Sequence, residues 1–193
     1  MTGNDEPQFD APGAGLPWLE LQLGKGLFAL RRWMGSKSSF TVRFQREREA
    51  IRALLSTCDT ESCTQRVLIK RPPGLEDSSR YWSLWMTLDH LRMVNHGIAR
   101  TIGALTKGIV PPGKASTAAV KPSPEVGADV VRTYEDSCEA VLSAAAAHSD
   151  LKTTARFVHP WFGPLDAAGW HALACTHMGL HRAQMERIIA GMK

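Results

Sequence analysis

Two histidines spaced four apart on an apolar helical face constrain this chain more than any other feature. The stretch Trp170 to Ile189 reads WHALACTHMGLHRAQMERII. On an α-helix, His177 and His181 fall one turn apart on one face, and Gln184 continues that face. Trp170, Leu173, Ala174 and Ile188 share it, so the face is apolar and expected to be buried. A buried neutral imidazole must satisfy one donor and one acceptor. A divalent metal meets that need at the acceptor nitrogens; hydrogen bonds to backbone or to Gln184 meet it equally well in a plain core. A third ligand at compatible depth decides between the two. The zinc-protease pattern needs Glu directly after the first His; this chain has Met178 there, which argues against that chemistry.

The remaining helices are sought by the same periodicity. Residues 38–56 place Phe40, Phe44, Ile51, Leu54 and Leu55 on one stripe, with Arg43, Arg46, Glu47 and Arg48 opposite and Ser38 or Ser39 as cap. A connection over 57–76 follows, broken by Arg71-Pro72-Pro73-Gly74. Residues 77–106 read as a second helix capped by Asp77 or Ser78, with Met86, His90, Met93, Val94 and Gly97 on one face. Residues 108–122 form a loop, and Ser123-Pro124-Glu125 reads as the start of a third helix reaching Ala147. Tyr134 and Cys138 fall on its core side. A second connection, 148–164, leads to Asp166 as cap of the last helix.

His90 and His177 then lie at similar depth, roughly 18 Å along their helices. If those helices run parallel and face each other, the three imidazoles converge. His96 and His171 are each six residues from a candidate ligand and point away; His148 and His159 read as loop or surface residues. Asp89 points about 100° from His90 and reads as a surface or capping partner. No carboxylate is plainly placed for proton transfer, although the 57–76 and 108–122 loops could deliver one. Trp82, Trp85, Trp161 and Trp170 could wall an apolar pocket or simply fill the core.

The expected architecture is all-α: a four-helix bundle over 38–193 with long connections, plus an N-terminal tail and arm over 1–37. Residues 1–16, rich in Gly, Pro and acidic residues, read as a disordered tail. Residues 17–34 read as a short helix or an arm packed on the core or on a partner subunit. No strand alternation is convincing. Net charge is +4 and pI is near 9.0, but no basic run argues for nucleic acid. The four cysteines form no Cys-x-x-Cys pair and read as free thiols. The N-terminus lacks a secretory pattern, and no apolar run approaches the ~18 residues of a membrane span. A cytoplasmic protein is expected, with no membrane partner.

Two pieces of the sequence resemble the DinB/YfiT-like superfamily of metal-binding four-helix bundles. One is Trp82 to Asn95, WSLWMTLDHLRMVN; the other is His159 to Ile188, with HPWFGPL, Trp170 and the His177-x3-His181-x2-Gln184 pattern. The resemblance implies His90, His177 and His181 as metal ligands, and a homodimer. Three imidazoles leave a cation with open positions, the arrangement of a catalytic site. Zinc is the first expectation, with nickel, iron or manganese as alternatives. Such a metal can generate hydroxide or bind and acidify a thiol. The expected function is therefore a metal-dependent thiol S-transferase or hydrolase acting on a small molecule, with a low-molecular-weight thiol as a possible cosubstrate. Gln184 is a candidate to orient water or an imidazole. The alternative is a non-catalytic helical ligand-binding or interaction module whose histidines are structural or vestigial.

Overall fold

Helix α2, Lys37–Leu55, starts where Ser36 and Ser39 cap each other's backbone N–H reciprocally. The helix starts one residue before the expected 38, and its cap is Ser36 rather than Ser38 or Ser39. Before it stands α1, Trp18–Met34, a regular helix despite Gly24 and Gly26. Gly35 joins the two, and a Cβ there would fall 2.2 Å from Phe40 Cζ, so only glycine lets the Phe40 ring close the corner. The remaining helices are α3 (Thr60–Thr64), α4 (Leu84–Leu105), α5 (Val130–Ala146) and α6 (Ala167–Gly191). This computed structural model describes residues 7–192; residues 1–6 of the expected N-terminal tail lie outside the described part.

Helices α2, α4, α5 and α6 make the bundle. Contacts along their lengths fix the directions. Thr41 meets His171 and Glu47 meets Arg182, so α2 and α6 run parallel. Arg48 reaches Glu139 and Arg52 reaches Glu135, so α2 and α5 run antiparallel. Asn95 touches Met178, whereas Trp82 stacks on His181 and Ser79 bonds Gln184. Helices α4 and α6 are therefore antiparallel, not parallel, and α4 lies parallel to α5. Two parallel neighbours in sequence require a long crossover, here residues 106–129.

Helix starts differ from the periodicity in two places. Asp77 and Ser78 open only a 3₁₀ turn, Asp77–Ser79. Tyr81–Trp82 then forms strand β2, paired with β1 at Val67–Leu68, and Ser83 is the true cap of α4. His90 thus sits about 9 Å into its helix rather than 18 Å. Ser123 likewise does not cap α5. Its N–H donates to Asp89 Oδ2, its hydroxyl accepts from Glu125 N–H, and the helix begins at Val130. Asp166 caps α6 as expected, accepting from Gly169 N–H at 2.8 Å. A second ribbon, β3 (Phe157–His159) with β4 (Gly163–Leu165), supplies strands that the sequence pattern did not show.

Phe40, Phe44 and Ile51 of the α2 stripe are buried, as are Tyr134 and Cys138 of α5. Arg48, placed on the opposite, polar side by periodicity, is buried as well. Its guanidinium is held by Glu135 and Glu139, which is how a charge is tolerated between α2 and α5. Helix α6 carries buried residues on several faces, because α2 and α4 flank it. Ala172, Ala174 and Cys175, all fully buried, keep those contacts close. All four cysteines are free thiols. No helix among the described residues is long and apolar enough to cross a membrane. Outside the bundle, α1 buries Phe28 against Phe162 at 4.4 Å between ring centroids. Along α1, Trp18, Leu19, Leu23, Leu27, Trp33 and Met34 are exposed.

His171 is fully buried, contacts Thr41 Oγ1 at 3.3 Å and faces the edge of Phe40. Burial, reinforced by Lys37, pulls its pKa down from 6.5 to about 4. Between those values the unfolded chain binds the proton and the folded chain does not, so stability is lost as pH falls through that window. Replacing His171 with Phe should reduce the loss in unfolding free energy between pH 7 and pH 5 by about 1–2 kcal/mol. Urea denaturation of both proteins at the two pH values measures it.

Candidate metal centre

His90 on α4 and His177 and His181 on α6 meet at one point. Their Nε2 atoms lie 3.0 Å apart for His90 and His177, and 3.1 Å apart for His181 and His177. The three ligand atoms all fall within 4.8 Å of one another. Antiparallel packing still permits convergence because α4 and α6 face each other at these residues, whatever their distances from the helix starts.

The outer ring nitrogens decide the protonation. A backbone carbonyl only accepts, so His90 donates from Nδ1–H to Val120 O at 2.6 Å. Gln184 donates its amide N–H to Ser79 O at 2.8 Å, which turns its Oε1 towards His181 Nδ1 at 2.7 Å. His181 therefore also carries its proton on Nδ1. Burial lowers the His90 pKa to about 4. The His177 and His181 pKa values are driven well below 6.5 by burial and by the neighbouring imidazoles. Near neutral pH all three rings are uncharged, and the Nε2 atoms of His90 and His181 present lone pairs to the same point as His177 Nε2. His177 Nδ1 has no partner among the described residues.

That donor set suits a divalent cation. Imidazole nitrogens 3.0–3.1 Å apart fit bonds of about 2.0–2.1 Å to a shared ion. With an ion on Nε2, His177 carries its proton on Nδ1; without one, it shares a single Nε2 proton between two acceptors, and its buried Nδ1 is unpartnered either way.

Trp82 closes the back of the cluster. Its ring lies parallel to His181 at 6.1 Å and tilted over His90 at 5.2 Å. Lys121 Nζ sits 5.2 Å from the same ring and bonds Ser78 Oγ at 2.6 Å and Ser79 Oγ at 3.0 Å. Its pKa is lowered by burial, an effect that Glu76, 3.6 Å away, opposes. Glu76 is itself buried, and Oε2 accepts from Gly13 N–H while Oε1 has no hydrogen-bond partner. Glu76 closes the 57–76 loop, one of the two loops from which a carboxylate could come. Only the local run of Glu and Asp before Ser78 hinted at it.

In front of the cluster opens a cavity of about 980 Å³ lined by all three histidines, Glu76 and Lys121. Trp161 and Trp170 line it too, whereas Trp85 belongs to the core. His159, expected as a loop or surface residue, lies in β3, lines the cavity and stacks on Phe162 at 5.1 Å. Burial draws its pKa to about 4. It is not among the three clustered ligands. His96 and His171 also stay outside the cluster. Asp89, expected as a surface or capping partner, is instead buried, and is tied to Arg92 on its own helix and to Ser123 N–H of the crossover.

The comparisons with known proteins agree with this architecture. No curated protein matches the chain. A solved structure described as TT2238, a four-helix bundle protein, aligns with a TM-score of 0.58 at 21% identity. The alignment covers 78% of this chain and 98% of that one, which establishes shared fold. The sequence model described as the DinB superfamily matches residues 43–185, spanning α2 through most of α6 and containing all three histidines. The chain belongs to the DinB superfamily.

Proposed function

We propose that His90, His177 and His181 bind a divalent metal, zinc first, through Nε2, and that the protein is a metal-dependent thiol S-transferase or hydrolase acting on a small molecule. The observation that carries this reading is the fixed tautomers of His90 and His181: both outer nitrogens donate to acceptors, so both inner lone pairs face the third imidazole. When bound, the ion would act as a Lewis acid that lowers the pKa of a bound water or thiol. The large cavity in front of the cluster supports a catalytic over a purely structural role, because a structural site is closed.

The chain's own groups have separable tasks. Val120 O and Gln184 orient two imidazoles. Trp82 excludes water from behind them. Glu76 and Lys121 put one acceptor and one donor on the same cavity wall. Glu76 therefore offers the proton acceptor that hydrolysis needs, so the hydrolase and the thiol transferase stand level. A low-molecular-weight thiol is the cosubstrate in the second case.

We also propose a homodimer. Its support is the exposed apolar face of α1, with Trp33 83% and Trp18 74% exposed.

Three outcomes are expected. Elemental analysis of purified protein finds near-stoichiometric divalent metal in the parent and none in His177→Ala, with circular dichroism showing both folded. No metal in the parent, even after reloading with zinc, nickel or manganese, overturns the reading. Gln184→Leu, which frees the His181 ring, weakens metal affinity about 10–100-fold, read by competition with a chromophoric chelator. Light scattering on a sizing column gives twice the chain mass of 21.2 kDa, and Trp18→Ser with Trp33→Ser shifts it to the monomer.

A further inference from the structure

Building on the metal-dependent reading, we infer that the substrate has an extended apolar body, which α1 covers, and one polar end that meets the histidine cluster. The cavity volume of about 980 Å³ stands at the top of the ~300–1,000 Å³ range for drug-sized ligands. Its shape follows α4. His90, Val94, Gly97, Thr101 and Ala104 all line it, a single helical stripe about 21 Å long. At the His90 end stand Glu76, Ser79 and Lys121. The rest of the lining is mostly apolar, from Leu27 and Phe28 of α1 to Ile109 of the crossover and Phe157 and Phe162 of the ribbon, with Glu20, Arg31, Arg100 and Lys114 as its charged members.

Two glycines widen the space. Gly97 on α4 and Gly24 on α1 both lie mid-helix, where glycine is unfavourable. A Cβ at either would meet no atom within 4 Å, so neither is required by close packing. Both line the cavity. Helix α1 precedes the residues shared with the DinB superfamily, 43–185, so this wall is a property of the chain's own N-terminal arm. A fully hydrated polar metabolite gains nothing from such walls, whereas an alkyl or polycyclic body buries its surface against them.

The test uses the full chain and two hydroxamates, whose common head chelates a divalent metal. Octanohydroxamate should bind the zinc-loaded parent at least 100-fold more tightly than acetohydroxamate in calorimetric titration. Gly97→Leu, which fills the slot, should cut that ratio below 10 while leaving acetohydroxamate unaffected. Gly24→Leu fills it from α1 should the first variant fail to fold. In parallel, octanol should displace the apolar fluorophore N-phenyl-1-naphthylamine from metal-free His177→Ala. Equal affinities for the two hydroxamates, together with no displacement by octanol, overturn the apolar-body inference while leaving the metal site standing. No binding of either hydroxamate, with octanol still displacing the fluorophore, overturns the metal-dependent reading and leaves the apolar pocket standing.

Discussion

The hydrogen bonds on the outer nitrogens of His90 and His181 are what the site depends on. An imidazole alone has two neutral tautomers and can rotate. Here Val120 O and Gln184 Oε1 accept the outer protons at 2.6 and 2.7 Å, which fixes both rings and both charges. Gln184 is fixed in turn by Ser79 O, on the 3₁₀ turn ahead of α4. The chain of constraint thus runs from a turn, through an amide on α6, to an imidazole, and each link has only one way to be satisfied. Burial then keeps the rings neutral, the state in which they can act as ligands.

The arm and the bundle stand in a different relation. The bundle carries the histidines and the superfamily signature. The arm contributes no ligand to the cluster, yet its glycine-containing face walls the cavity. The arm thus adds apolar wall to an enclosure that α4, the crossover and the second ribbon also line, and the arm can be altered with the histidines in place.

Much of this was legible in the sequence, for a physical reason. Helical periodicity is read locally, so the stripes at 38–56 and 170–189 and the cap at Asp166 came through. The His177-x3-His181-x2-Gln184 spacing places three groups on one face whatever surrounds them. What failed were inferences in which local signals competed with tertiary contacts. Asp77, Ser78 and Ser123 are good caps by type, but their groups are engaged elsewhere: Asp77 with Arg80, Ser78 with Lys121, Ser123 with Asp89. Arg48 looked solvated because its partners Glu135 and Glu139 are distant in sequence. The direction of α4 against α6 leaves no trace in either helix, so equal depth in parallel helices is not what brings His90 to His177: α4 starts at Leu84 and runs antiparallel to α6. Glu76 and Val120 stayed hidden because loops carry no period.

The crossover between α4 and α5 exists because the two helices are parallel. Having to span the bundle, it brings Val120 and Lys121 to the cluster, and the two act in different currencies. Lys121 acts through its side chain, so its identity matters. Val120 acts through a backbone carbonyl, which every amino acid possesses. The second partner of a candidate ligand is thus written in loop length rather than in letters. Substitution at 120 leaves the acceptor where it is, whereas removing a single residue nearby would withdraw it, a dependence invisible to any reading that weighs residues one position at a time.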